Sequence, residues 1–402
     1  VINLEVPKKF TPAIDQAKAV AEHVLRPISR QYDRDEHTYA KELDMLAAAM
    51  AGMEESGSMK GTGATGVKRE KPTNGENRNA SNMSTVLSIK EAAKGDLGLM
   101  LTIPGQGLGN SAIASVASEE QMERFKGKWA AMAITEPDAG SDSSAINTTA
   151  VRDGDHYILN GTKIFITAGE RADLLVVWAT LDKDLGKAAI KSFVVEKGTP
   201  GLNFVRSEDK LGIRASDTAQ FVLEDCRVPA ENLLGDPEVS VESGFAGAMQ
   251  TFDNTRPLVA SMGIGVAEAC LERTRELLAE AGVEVDWDKP AHSQSAAAQA
   301  LLDMEADFEA ARLLTLKAAW MADNAKPNSL EASYAKAKAG RMVVDVALRC
   351  VQLCGPVGYG ETELLEKWAR DAKILDIFEG TQQIQLLIIA RRLLGLSSAE
   401  LR

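Results

Sequence analysis

The segment HYILNGTKIFIT, residues 156–167, decides how this 402-residue chain is read. Asn160-Gly161 is a strong hairpin signal, and after it Ile164 and Ile166 alternate with Phe165 and Thr167. That two-residue period predicts a strand with Phe165 and Thr167 on one face. An aromatic ring and a hydroxyl then meet whatever covers that face, whether a helix in ordinary sheet packing or a ligand.

Outward from this segment the pattern repeats. AMAIT, DLLVVWAT, KSFVVEK, LNFVRS and AQFVLEDCRV are short, β-branched or aromatic, and separated by Gly, Asp and Asn turns. They predict a compact barrel or sandwich between Trp129 and Cys226. On both sides the period becomes helical: TPAIDQAKAVAEHVLRPISRQY and MSTVLSIKEAAKGDLGLMLTI come before, and bundle-length helices follow from Ser243 to the end. Pro27 is expected to bend or end a turn, and CGPVGYG to break the helix before the closing segment. The expected architecture is α+β and multidomain: an N-terminal helical domain over 1–128, a middle β domain over 129–240 and a C-terminal helical bundle over 241–402. Between the first helices lies a polar stretch around residues 58–80, rich in Gly, Lys, Asn and Thr, expected as an exposed insert.

Composition narrows the function. With 45 basic and 58 acidic residues the formal charge is −13, which argues against a nucleic-acid surface. The longest apolar runs, such as LLIIA, are far short of a membrane span, and the opening VINLEVPKKFTP lacks the pattern of a signal peptide. Cys226, Cys270, Cys350 and Cys354 form no CxxC pair. Cys350 and Cys354 share an i,i+4 spacing that admits a metal pair, but no histidine is near, so reduced thiols and a cytoplasmic chain are expected. HExxH, a nucleophile elbow, Walker A and a strand-linked GxGxxG are absent, so no metal, ATP or Rossmann-bound nicotinamide is expected.

Three polar constellations remain. The turn ITEPDAGSDSSA, 134–145, carries Thr135, Glu136, Asp138, Ser141 and Asp142, read either as a capped surface turn or as a ligand-binding one. FDNTRP places Asp253 and Arg256 at i,i+3, as a local pair or as site residues. IFEGTQQIQ, 377–385, sets Glu379 on a turn beside Gly380, as a solvated glutamate or as a base aimed into an apolar cavity.

ITEPDAGSD, NGTKIFIT, LGIRASDT with FVLEDCRVP, FDNTRP, WARDAKI and IFEGTQQIQ occur in this order, and together they resemble the acyl-CoA dehydrogenase family. The resemblance is strong over 129–260 and 345–392. It implies a middle β domain between helical domains, a C-terminal four-helix bundle forming a tetramer core, and FAD as cofactor. Glu379 matches the base that removes the α-proton of an acyl-CoA thioester while the β-hydride passes to flavin N5. Its backbone N–H, with a ribityl hydroxyl, matches the pair that polarises the thioester carbonyl, and Gly380 belongs to the same substrate turn. Met132, Ile134, Thr135, Phe165 and Thr167 match positions around the flavin ring, with Phe165 in place of a tryptophan common in relatives. Ser141 matches a serine beside the thioester, and Asp253 and Arg256 match positions facing CoA. Thr381 and Gln383 match dinucleotide contacts, and Gln352 with Gly355 matches a segment reaching a neighbouring subunit's FAD. The position that supplies the base in some relatives is Thr255 here, which cannot accept the proton. The resemblance implies an electron-transferring flavoprotein as partner.

Two departures stand out. An Arg–x–x–Phe–Gly stretch is expected after the first C-terminal helix, where this chain reads ERTRELLAEAGVEVDWDKPAHSQ. A Gly-Gly-x-Gly turn in the first domain is replaced by the 58–80 stretch. These departures leave open a homotetramer, a mixed tetramer with a related chain, or a structural, FAD-binding subunit of a heteromeric complex.

Overall fold

The computed structural model describes residues 2–55, 77–105, 107–239, 246–397 and 400. Most of the polar 58–80 stretch lies outside the described residues. Helices come first: α1 Thr11–Val20, α2 Arg26–Arg34, α3 Glu42–Glu55, α4 Ser81–Gly95, α5 Leu97–Leu101, α6 Leu108–Val116 and α7 Glu119–Arg124. Pro27 neither ends nor sharply breaks its helix. It sits at the start of α2, and the turn before it, Ala21–Leu25, widens to π geometry. Proline lacks an N–H and crowds the carbonyl four residues back, and a wider turn absorbs both defects. The start of α4 is capped from a distance: the Asp323 carboxylate accepts from the backbone N–H groups of Ala80, Asn82 and Met83.

Among the described residues eight strands follow: β1 Ala130–Ala133, β2 Thr149–Asp153, β3 His156–Thr167, β4 Leu174–Thr180, β5 Ile190–Glu196, β6 Leu202–Ser207, β7 Thr218–Pro229 and β8 Leu233–Leu234. The ladder runs β6-β7-β3-β2-β4-β5-β8, with β1 parallel to β4. β2 and β4 meet at one pair, Thr149 and Thr180, so two sheet halves join at a corner and face each other. Tyr157 of β3 meets Phe193 of β5 edge-on across the resulting core, 5.1 Å between ring centres.

The chain then returns to helices: α8 Ala246–Glu280, α9 Ala296–Asp323, α10 Ser329–Tyr359, α11 Leu365–Ala372 and α12 Gln382–Leu394. The predicted break at CGPVGYG is a kink. Gly355 takes φ 55°, ψ −133°, and one more turn continues to Tyr359. By length and apolarity α10 is able to cross a bilayer, which the short apolar runs did not foretell, but Met342, Val343, Val346 and Ala347 are buried in the helical core. Helices from before and after the sheet share that core: Leu25, Leu43 and Leu97 pack with Val266, Leu301 and Val343. The cysteines are free thiols, with Cys226, Cys270 and Cys350 buried.

A buried polar chain ties the three parts together. Asp96 caps α5 and accepts from Ser29 Oγ at 2.5 Å and from Lys367 Nζ at 2.6 Å. Lys367 also donates to Asp371 at 2.6 Å, and Asp371 accepts the backbone N–H of Ile213 at 2.5 Å. The loop ending β6 is thereby drawn onto α11, where a Cβ on Gly212 would overlap the Arg370 carbonyl.

Candidate active site

A cavity of about 1760 Å³ opens where the helices and the sheet meet. One end, between α1, α4 and α8, is apolar, with Val20, Ile89, Ala92, Met100 and Met262. Lys210, Arg370 and Arg391 reach other parts of the wall. Phe165, Ala168, Ile213 and Glu379 all line it, and all are non-glycine residues at positive φ. Each such residue costs about 1–3 kcal/mol, so strain is concentrated at this site.

Glu379 projects from the turn between Asp376 and α12. Its φ is 54° and that of Gly380 is 87°; Thr381 then caps α12 by accepting from Ile384 N. The chain therefore reverses at two left-handed residues, and the glutamate faces the cavity. One carboxylate oxygen accepts from Thr255 Oγ1 at 2.8 Å. Glu379 is half-buried and lines the cavity. Burial pushes its pKa above the ordinary value, against the Thr255 hydrogen bond and the charges of Arg256 and Lys336. No hydrogen bond from the Glu379 backbone N–H occurs among the described residues. The turn's carbonyls are engaged: Lys336 Nζ donates to Gly380 O at 2.7 Å, and Gln385 Nε2 lies 3.2 Å from both Glu379 O and Gly380 O.

The opposite wall comes from β1 and β3. Met132, Ile134 and Thr135 line it with Phe165 and Thr167. Here strict alternation fails. A register shift against β7 between Lys163 and Ile166 puts Phe165 at φ 57°, and Ile164 joins Phe165 and Thr167 on the cavity while Ile166 stays in the core. The cause is a bulge, which re-aims side chains by inserting an unpaired residue. Lys163 instead turns inward, with Nζ 2.7 Å from Glu136 and 3.1 Å from Ile134 O. Glu136 also accepts from Asn147 N, Thr148 N and Thr148 Oγ1. Of the acidic residues in the ITEPDAGSD turn, Glu136 is thus a buried anchor, whereas Ser141 sits exposed at the cavity rim.

Arg256 is buried, lines the cavity and lies 3.5 Å from Ser333 Oγ. The Asp253 side chain lies outside the described residues. Gly380 and Thr381 line the cavity; Gln383 is exposed on α12 and does not. Gln352 and Gly355 lie on α10 away from this cavity. Sequence reasoning missed Lys336 and Gln385, both fully buried beside the Glu379 turn. Lys336 carried no signal, because YAKAKAG reads as a solvated helix face. In the altered loop region, Arg273 pairs with Glu363 at 2.8 Å and with Glu276 at 2.7 Å, and Arg275 with Glu305 at 3.1 Å. Both arginines are therefore engaged within the chain.

Residues 131–226 match the family model for the acyl-CoA dehydrogenase middle domain, and residues 242–394 the model for the C-terminal domain. The short-chain specific acyl-CoA dehydrogenase of Megasphaera elsdenii is 37% identical over 341 residues, covering 83% of this chain and 87% of that protein. The solved butyryl-CoA dehydrogenase of the same organism superposes with TM-score 0.83 at 34% identity, covering 98% of this chain and 100% of the other. A chain of the structure described as the electron transferring flavoprotein of Acidaminococcus fermentans gives TM-score 0.82 at 33% identity, with 98% and 100% covered.

Proposed function

The chain belongs to the acyl-CoA dehydrogenase family, and from that membership we propose that it oxidises an acyl-CoA thioester to the trans-2-enoyl-CoA with Glu379 as the base. One observation carries the residue assignment: a strained turn directs a desolvated carboxylate into a largely apolar cavity, facing a wall of Phe165, Thr135 and Thr167. Phe165 is 59% exposed there although the cavity encloses it, and two hydroxyls stand beside it. That donor set and uncovered ring fit a flat aromatic cofactor, so Met132, Ile134, Thr135, Phe165 and Thr167 are assigned to the flavin of FAD. The chemistry supplied by bound FAD is acceptance of the β-hydrogen with its electron pair.

The chain's own contribution is proton handling and orientation. An α-proton is weakly acidic, and a carboxylate of raised pKa is the stronger base for it. Glu379 accepts that proton, and its backbone N–H is assigned to the thioester carbonyl, where one such donor is commonly worth about 2.7–4 kcal/mol. The apolar end between α1, α4 and α8 takes the acyl chain and excludes water, and Arg256, Ser141 and Gly380 are assigned to the acyl-CoA. Electrons are assigned to an electron-transferring flavoprotein, and the site of action to the cytoplasm. Exposed Leu348, Leu386, Leu393 and Leu394 on α10 and α12 support assembly into a tetramer. Sedimentation of the active protein as a monomer would remove that assembly.

Anaerobic addition of butyryl-CoA to the purified yellow protein tests the main reading. Bleaching of the flavin band is the expected result; a flavin-loaded protein that stays oxidised with acyl-CoAs of every length overturns it. One observation favours a second reading, in which this chain is a subunit of a mixed complex. Arg273 and Arg275 are both held in ion pairs, so neither takes over the task of the absent Arg–x–x–Phe–Gly stretch. Bound FAD per chain distinguishes the two, since full and tight occupancy in a homotetramer excludes the need for another chain.

A further inference from the structure

We propose that Lys336 and Gln385 are positioning residues that lock the Glu379–Gly380 turn and so aim both the carboxylate and the backbone N–H of Glu379 into the cavity. This rests on Glu379 being the base. Three donor contacts converge on two consecutive carbonyls. Lys336 Nζ lies 2.7 Å from Gly380 O, and Gln385 Nε2 lies 3.2 Å from Glu379 O and 3.2 Å from Gly380 O. Both donors belong to residues with no exposed surface. Peptide units are planar, so holding the Glu379 carbonyl fixes the plane that follows its Cα. The preceding residue is held from the other side, with Phe378 N donating to Ile374 O at 3.0 Å. Glu379 is thereby suspended between two anchored segments at a φ that an unrestrained glutamate seldom takes.

The clamp also explains the glycine. A Cβ on Gly380 would sit 2.5 Å from Gln385 Nε2, so any other residue there displaces the donor. Lysine adds what a neutral donor does not. Its ammonium is faced by Asp376 and Glu379 from the turn and by Arg256 from α8, and its charge favours the ionised form of Glu379. Burial pushes the Lys336 pKa down to about 8, against the pull of Asp376 and Glu379, so the cation is present at neutral pH. A lysine buried for packing alone has no such geometry to satisfy, since an apolar side chain fills the same volume at less desolvation cost.

The test compares FAD-loaded Lys336→Met, Lys336→Arg, Gln385→Leu and Glu379→Gln proteins. Flavin reduction by butyryl-CoA is followed anaerobically across pH. Binding of the butyryl-CoA thioether, which lacks the carbonyl oxygen, is followed by the shift of the flavin spectrum. Lys336→Met is expected to retain FAD and thioether affinity, to reduce flavin about 100-fold more slowly, the cost of an ångström-scale misplacement, and to move the ascending limb of the pH profile upward. Lys336→Arg restores the position of that limb. Gln385→Leu slows reduction without moving the limb, because it removes no charge. Wild-type rate and pH profile in Lys336→Met, with Glu379→Gln inactive, overturns the clamp alone. Wild-type reduction by Glu379→Gln overturns the reading beneath it. If Lys336→Met does not hold FAD, a wild-type rate in Gln385→Leu overturns the proposal and a slowed one with an unmoved limb supports it.

Discussion

The hydroxyl of Thr255 donates a 2.8 Å hydrogen bond to Oε2 of Glu379, joining α8 to the turn before α12. The two residues are 124 apart in sequence. Thr255, which cannot itself accept a proton, supplies a donor that steadies the carboxylate on the facing element.

Glu379→Gln keeps the side-chain shape and the backbone N–H but cannot accept a proton. FAD content and acyl-CoA binding are expected to stay near wild type while turnover falls by at least about 100-fold, the lower end of a general base's contribution. Single-turnover flavin reduction measures this directly, and a rate near wild type removes Glu379 from the mechanism.

Thr255→Val deletes the hydrogen bond that holds the Glu379 pKa down. The carboxyl then titrates at higher pH, so the ascending limb of the rate profile moves toward alkaline pH. On the acid side of that limb the rate is expected to drop by about 2- to 10-fold, the equivalent of one hydrogen bond at roughly 0.5–1.5 kcal/mol. An unmoved limb contradicts the assignment of that limb to Glu379.

Glu136 bears on stability. Burial opposes its ionisation, but the Lys163 charge and hydrogen bonds from Lys163, Thr148 and Asn147 outweigh that and hold its pKa below the usual carboxylate range. A folded-state pKa below the unfolded one gives stability that is present above the unfolded value and is lost as pH falls through the folded value. Glu136→Gln is therefore expected to lower stability at neutral pH and to flatten its loss in acid. Urea midpoints measured from pH 7 downward check both signs, and an unchanged acid slope refutes the linkage.

Lys367→Met leaves Asp96 and Asp371 buried without their shared cation. Breaking a buried pair from one side costs about 3–5 kcal/mol. Ile213, whose N–H bonds to Asp371, is expected to lose its anchored position as well, so FAD retention on dilution should fall together with the unfolding midpoint. A stable variant with wild-type FAD retention would show that the loop is held by other contacts.

The helical–β–helical order was legible because hydrophobic period is a local property, but the hairpin expected at Asn160-Gly161 is not there: β3 runs unbroken through both residues with a register shift against β7, and the tight turn lies at Gly154 between β2 and β3. The bulge at Phe165 was not legible, since its register shift arises from pairing with β7, more than fifty residues on. Lys163, Lys336 and Lys367 were the hardest to read. All three have no exposed surface, and nothing local marks a lysine for burial until its partners, Glu136, Gly380, Asp96 and Asp371, are placed in space. Glu379 stood out on its turn beside Gly380, but only the resemblance of IFEGTQQIQ chose the base over a solvated glutamate; its Thr255 donor needed the fold.

The polar chain from Ser29 through Asp96, Lys367 and Asp371 to Ile213 also limits how this protein can be rebuilt from parts. Its members come from the leading helices, the sheet loop and the trailing helices, and losing Asp96, Lys367 or Asp371 takes a partner from a buried charge. Hybrids that exchange the leading or trailing helices with a relative therefore need these positions transferred as a set. Fragments cut between the sheet and the last helices are expected to be insoluble, however complete each looks as a sequence unit.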